Sequence, residues 1–395
     1  MSSHERTNFI YVDTSTLIKE CVIQLQKVPF ISVDLEFDKN RYRYGFNLCL
    51  IQIYDGSNTY LIDPLVDEID LQPIFEIFEN PDIIKIVFSF GEDLRLLHSL
   101  GCFPKNLFDL QIAAQLLNFP PSSLANLIER ILEIHISKSS QQSNWFQRPL
   151  HVEQIEYAIL DVIYLPLIYT QFKSELVRKD IISWMNQEMH HVESINHQEA
   201  EQNELLKEKY KADLTEIQWH VLTKLIHLRE RKAKEINRPP YHISERKTLT
   251  EIAKFPEKRF NWATISSNHK STKNSIFLEE LNITVTSALE EASELGLSSR
   301  KRAAKRISKE EYQEWKSTEM KVKFAKQNFF KPIQKGIEKE YGEHVKIMIL
   351  NNKIIKEIIL GNFHNILSYK KKIILQYARV LDLDATLYFA DGHKL

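Results

Sequence analysis

Residues 30–37 alternate apolar and polar side chains with the period of two expected of a strand. Residues 48–54, followed by Asp55-Gly56-Ser57-Asn58, read as a second strand entering a hairpin turn. Residues 59–62 return as a third strand, and 83–88 form another short apolar one. After Gly91 the spacing changes to Leu94, Leu97 and Leu100, the period of a helix, so Asp93 falls near that helix's start. Helical spacing recurs over 108–117, 124–132 and 154–172. Strands followed by helices, with one returning strand, predict an α/β domain in which helices pack on a mixed sheet, closing near residue 175.

Beyond that point the pattern is helical throughout. Residues 176–210 are polar and highly charged, as in a connector. The apolar pattern resumes over 211–285 with Leu222, Leu225, Leu228 and Ala233, a stop at Arg238-Pro239-Pro240, then Leu249, Ile252 and Phe255-Pro256, the signature of a small helical bundle. A basic linker spans 286–323, with six Lys or Arg in 298–310, and serves equally as a solvated linker or as a phosphate-tracking segment. Residues 324–395 form a second small helical domain.

The length of 395 residues agrees with two or three domains. The N-terminus lacks a basic stretch followed by an apolar run, and no apolar run approaches a membrane span, so the expectation is a cytoplasmic protein. Three scattered cysteines argue against a disulfide framework or a structural zinc site. Among nine glycines there is neither a GxGxxG turn nor a GxxxxGK[ST] loop, which excludes the usual nucleotide-cradling ATPases. A net charge of −1 hides an asymmetry: residues 1–175 carry 13 basic against 23 acidic side chains, and the remainder 39 against 30. An acidic half suited to cations is tethered to a basic half suited to phosphates.

Three clusters carry the candidate chemistry. Asp34 and Glu36, two apart in a strand, share one face of the sheet, where burying two carboxylates is costly without compensating cations. Taken alone they fit a solvated edge strand as well. Tyr157 and Asp161, four apart in a helix, stack on one face, as an ordinary surface pair would also do. Asp93 is the third cluster.

The context of these residues resembles the ribonuclease D family of DEDDy 3′→5′ exonucleases. Ser143-Asn144-Trp145-Phe146-Gln147-Arg148-Pro149-Leu150 leads into Gln154, Tyr157, Ala158, Asp161 and Val162 as that family's third motif does, and Phe108-Asp109-Leu110-Gln111-Ile112-Ala113-Ala114-Gln115 is similar to its preceding helix. The resemblance covers at least residues 28–175. Phe88 and Phe90 depart from it, standing where a His and a small residue are common. Leu228-Arg229-Glu230-Arg231-Lys232-Ala233 and Leu249-Thr250-Glu251-Ile252-Ala253 resemble the HRDC module that follows the nuclease in this family, and 324–388 looks like a more divergent copy.

The resemblance implies a ribonuclease H-like fold followed by two helical domains, and a 3′→5′ exoribonuclease acting on RNA 3′ ends such as transfer RNA precursors. It further implies two Mg2+ or Mn2+ ions: Asp34 bridging both, Glu36 and Asp161 completing one site, Asp93 holding the other, and Tyr157 orienting the attacking water. A DNA 3′→5′ exonuclease would use the same carboxylates, and an inactive RNA-binding scaffold would predict losses among these five residues that are not seen. Trp145 either stacks on a base or caps the core.

Overall fold

The computed structural model describes residues 9–136, 143–197, 206–207, 211, 213–264, 269–270, 273–300 and 308–389. Strands β1 (Phe9–Val12), β2 (Phe30–Lys39), β3 (Phe46–Tyr54), β4 (Thr59–Ile62), β5 (Ile84–Val87) and β6 (Leu107–Asp109) form one sheet in the order β1-β4-β3-β2-β5-β6. The sheet is mixed. β2, β3 and β4 run antiparallel, whereas β1 joins β4, and β5 joins β2 and β6, in parallel. The interior strands fall where the sequence predicts strands. The edge strands β1 and β6 are not among the strands read from the sequence; β6 runs directly into α4, so its residues count with the helical spacing that follows.

Interleaved with the strands are α1 (Ser15–Leu25), α2 (Gln72–Glu79), α3 (Gly91–Ser99), α4 (Leu110–Leu116), α5 (Leu124–Leu132), α6 (Val152–Ile163), α7 (Leu165–Arg178) and α8 (Ile182–Ser194). The single helix expected over 154–172 is two, because Pro166 near the start of α7 cannot continue the hydrogen-bond ladder of α6. Likewise the helix expected from 108 starts only at Leu110, since Asp109 ends β6 and caps α4 by accepting from Gln111 N at 2.8 Å.

Alternation along β2 sorts its side chains: Ile31, Val33 and Leu35 enter the main core, while Asp34 and Glu36 point to the opposite face, where α6 packs. A register shift lies beside them, because Glu36 pairs with Leu50 and Phe37 with Leu48, leaving Cys49 as the extra residue of a bulge. All three cysteines are buried free thiols.

Two helical units follow. α9 (Glu216–Glu235), α10 (Pro240–Ile243), α11 (Arg246–Lys254) and α12 (Ser275–Glu294) share one core, with α9 started by a reciprocal Thr215–Gln218 capping box. α13 (Lys309–Ala325) passes through a π-helical turn at Lys326–Phe330 into α14 (Lys331–Tyr341), followed by α15 (Glu343–Ile349), α16 (Asn352–Ile359) and α17 (Ser368–Val380) around a separate core. The basic run of the expected linker falls largely on 301–307, outside the described residues.

The segment after 175 differs from a free connector. Met185 and Met189 of α8 are buried in the main core, and an adjoining face of the same helix docks α17. On that adjoining face Trp184 stacks on Tyr369 with ring centroids 5.0 Å apart, and buried Glu188 accepts from the Tyr369 hydroxyl and pairs with Lys370 Nζ at 2.8 Å.

Candidate functional site

The sequence places Asp34 and Glu36 on β2, Asp93 in the first turn of α3, and Tyr157 and Asp161 one turn apart on α6. Folding brings them together. One carboxylate oxygen each from Asp34, Glu36 and Asp161 lies within 4.8 Å of the other two. Asp93 is buried and close enough that its charge raises the carboxyls of both Asp34 and Glu36.

Among the described residues, no Lys, Arg or His side chain pairs with these acids. Burial, followed by the charges of Asp161 and Asp93, pushes Asp34 and Glu36 well above the ordinary carboxylate range. Burial also raises Asp93 and Asp161, each to about 7. Four acids so arranged are costly unless divalent cations compensate, and an all-oxygen donor set is what hard cations such as Mg2+ prefer. The donors present fit a divalent-metal site.

Tyr157 lies against the cluster. Burial first, then the carboxylates of Asp161, Glu36 and Asp34, hold its phenol far above the ordinary value, so it keeps its proton at neutral pH.

Residues that the motif reading did not assign set this geometry. Asp109 accepts from Ser89 N at 2.9 Å and Phe90 N at 3.1 Å, pinning the turn that launches α3 and hence Asp93. Arg148 fastens the segment leading into α6: it donates to Asp63 through two nitrogens, to the Trp145 carbonyl at 2.8 Å and to the bulged Cys49 carbonyl at 2.7 Å. α6 then begins with a capping box in which Gln154 Oε1 accepts from His151 N at 3.0 Å. Thus the Trp, Arg-Pro-Leu and Gln pattern aims the helix that carries Tyr157 and Asp161. The sequence signal for Arg148 was its place in that pattern; for Asp109 it was the cap position before α4.

Trp145 is 4% exposed and its ring centroid lies 6.1 Å from that of Tyr157, so it caps the small core under α6 rather than offering a face to a base. Phe90 is buried, and Phe88 is half-buried, packing against the main core.

Comparison with known proteins agrees with this architecture. A family model described as a 3′-5′ exonuclease matches residues 9–177. Ribonuclease D of Zymomonas mobilis is 34% identical over 257 residues, 63% of this chain and 64% of the relative; that of Pseudomonas paraeruginosa is 30% identical over 275 residues, 68% and 72%. The chain therefore spans just under two-thirds of the first of these relatives. Among solved structures, RNase D of Escherichia coli, an exoribonuclease involved in structured RNA processing, superposes with a TM-score of 0.68 at 19% identity, covering 95% of this chain and 99% of that one. This last likeness is one of fold. Among the described residues, no helix is long and apolar enough to cross a membrane.

Proposed function

The chain belongs to the ribonuclease D family, and from that premise we propose that it is a metal-dependent 3′→5′ exoribonuclease that shortens RNA 3′ ends, transfer RNA precursors among them. The observation that carries the proposal is the convergence of Asp34, Glu36 and Asp161 within 4.8 Å on one face of the sheet, with Asp93 beside them. Relatives named ribonuclease D support RNA as the polymer.

In this reading Asp34, Glu36, Asp93 and Asp161 hold two divalent cations, Mg2+ or Mn2+. When bound, the cations supply Lewis acidity toward the phosphodiester and offset the mutual repulsion of the four carboxylates. Tyr157 orients the attacking water. A phenol whose pKa is raised is a poor general base at neutral pH, but its hydroxyl can hold a water through hydrogen bonds, which is a positioning role. Asp109 and Arg148 act at one remove by fixing α3 and α6. A cytoplasmic location belongs to the same proposal, supported by the three free thiols.

The test is a degradation time course on 5′-labelled RNA and DNA oligonucleotides of one sequence, with free or blocked 3′ ends, in Mg2+, in Mn2+ and in excess chelator. Stepwise shortening of RNA from a free 3′ end, lost in chelator and in Asp34→Ala, is the expected result. Full activity in chelator would overturn the metal mechanism, and faster hydrolysis of DNA would overturn the assignment of the polymer.

A further inference from the structure

The hairpin joining β2 to β3 is longer than a strand connection requires, and it is held rigid. Two residues suffice for such a turn; here residues 40–45 separate the strands. Ordering each extra residue costs backbone entropy. Every backbone N–H from Arg41 to Gly45 has a side-chain acceptor. Buried Asp38 accepts from Arg41, Tyr42 and Arg43 at 3.1–3.3 Å, Asn237 Oδ1 from Tyr44 at 3.2 Å, and Asn40 Oδ1 from Gly45 at 2.8 Å. The Arg41 carbonyl accepts from the Tyr241 hydroxyl at 3.1 Å, so the first helical unit grips the tip from across about 200 residues.

The two arginine side chains at this fixed tip are left to solvent. Arg41 and Arg43 are exposed, and among the described residues neither guanidinium lies within ion-pair distance of a carboxylate, although the surrounding domain is strongly acidic. The Arg43 guanidinium carbon sits over Phe146, 4.0 Å from its ring centroid, and that of Arg41 over Tyr42 at 5.2 Å. Such cation–π contacts restrict the positions of two guanidinium groups whose donors suit phosphate oxygens.

The tip also touches the segments that supply the carboxylate site. Lys39 at its base pairs with Glu92, the neighbour of Asp93, at 3.1 Å. Phe146 packs against the same small apolar cluster as Tyr157. Asp38 follows Glu36 by two residues on β2.

We propose that Arg41 and Arg43 form a phosphate-gripping lip that binds the RNA backbone on the 5′ side of the bond being cleaved, a proposal that rests on the exoribonuclease reading. The terminal phosphodiester belongs at the carboxylates and their cations. The lip, outside that acidic cluster and held by the α/β domain and the first helical unit, meets the phosphates that follow.

The experiment uses the full chain and two substrates: a single-stranded RNA oligonucleotide, and the p-nitrophenyl ester of thymidine 5′-monophosphate, which has no phosphate beyond the reacting one. For Arg41→Ala/Arg43→Ala, kcat/KM on the oligonucleotide should fall about tenfold further than on the ester, as expected for two charge-assisted contacts of modest strength. With Asp34→Ala added to prevent cleavage, the slope of log affinity against log salt should flatten by roughly 0.7 per lost contact. Arg41→Lys/Arg43→Lys keeps both charges and should restore most of the slope.

Equal losses on both substrates, or an unchanged salt slope with unchanged affinity, would overturn the lip. If the wild-type chain turns over neither substrate with metal present, the exoribonuclease reading itself fails. Matching thermal midpoints for the variants and the wild type separate these results from misfolding.

Discussion

Arg148 and Asp63 meet as a two-pronged ion pair, Nε to Oδ2 at 2.5 Å and Nη2 to Oδ1 at 2.8 Å, across 85 residues of sequence. Burial alone would raise the Asp63 carboxyl, but the Arg148 fork, the Tyr11 hydroxyl and the Leu65 N–H outweigh it and hold the group below its usual range. Because the same guanidinium also holds the Trp145 and Cys49 carbonyls, it couples the aim of α6 to the bulge beside Glu36.

Arg148→Ala should therefore cost about 3 kcal/mol of stability, the scale for leaving a buried carboxylate without its partner. Arg148→Lys keeps a charge but not the planar fork, and should fold while losing much of kcat. Urea unfolding and single-turnover rates measure the two effects separately; a lysine variant with wild-type rate would remove Arg148 from the positioning of α6.

The acid cluster makes the metal-free protein sensitive to pH. Asp93 and Asp161, at about 7, and Asp34 and Glu36, also raised, bind protons in the folded state that the unfolded chain has already released. Stability in chelator should thus be greatest at low pH within the carboxylate range and decline as pH rises from there to about 7. Saturating Mg2+ should oppose the decline, because cations bind the ionised form and displace its protons. Thermal midpoints from pH 5 to 8, with chelator and with Mg2+, test this; parallel curves would show that the metal does not bind at these acids. Asp161→Asn should flatten the chelator curve.

Tyr157→Phe should bind metal as wild type does and lose on the order of 10² in rate, the scale of a mispositioned reactant. Metal affinity by calorimetry and single-turnover hydrolysis separate the two properties. A phenylalanine variant as fast as wild type would leave the hydroxyl without a role.

Docking of the second helical unit includes a buried charge pair. Lys370→Ala would leave Glu188, only 7% exposed, with the Tyr369 hydroxyl as its remaining partner, at a cost of about 3 kcal/mol. Glu188→Gln in that background should recover part of the loss. Unfolding followed through Trp184, which stacks on Tyr369, reports on this interface; an unchanged transition in Lys370→Ala would mean the Glu188–Lys370 pair does not hold it.

Strand and helix positions over much of the chain were readable from sequence, because apolar periodicity and capping residues are local. The alternation in β2 already assigned Asp34 and Glu36 to one face, and the four-residue spacing in α6 paired Tyr157 with Asp161. Their chemistry could be expected from side-chain type, and their partnership from a motif context.

Only the tertiary structure decided what those faces meet. The bulge at Cys49, the clasp of Asp63 by Arg148, the hold of Asp109 on the start of α3, and the grip of Asn237 and Tyr241 on the hairpin tip each join positions that no local period links. The same holds for α8, whose sequence reads as a polar connector but whose adjoining faces are claimed by two cores. Periodicity encodes which side of an element is apolar. Strand register and the packing of distant elements determine which groups that side brings within bonding distance, and these depend on the whole chain at once.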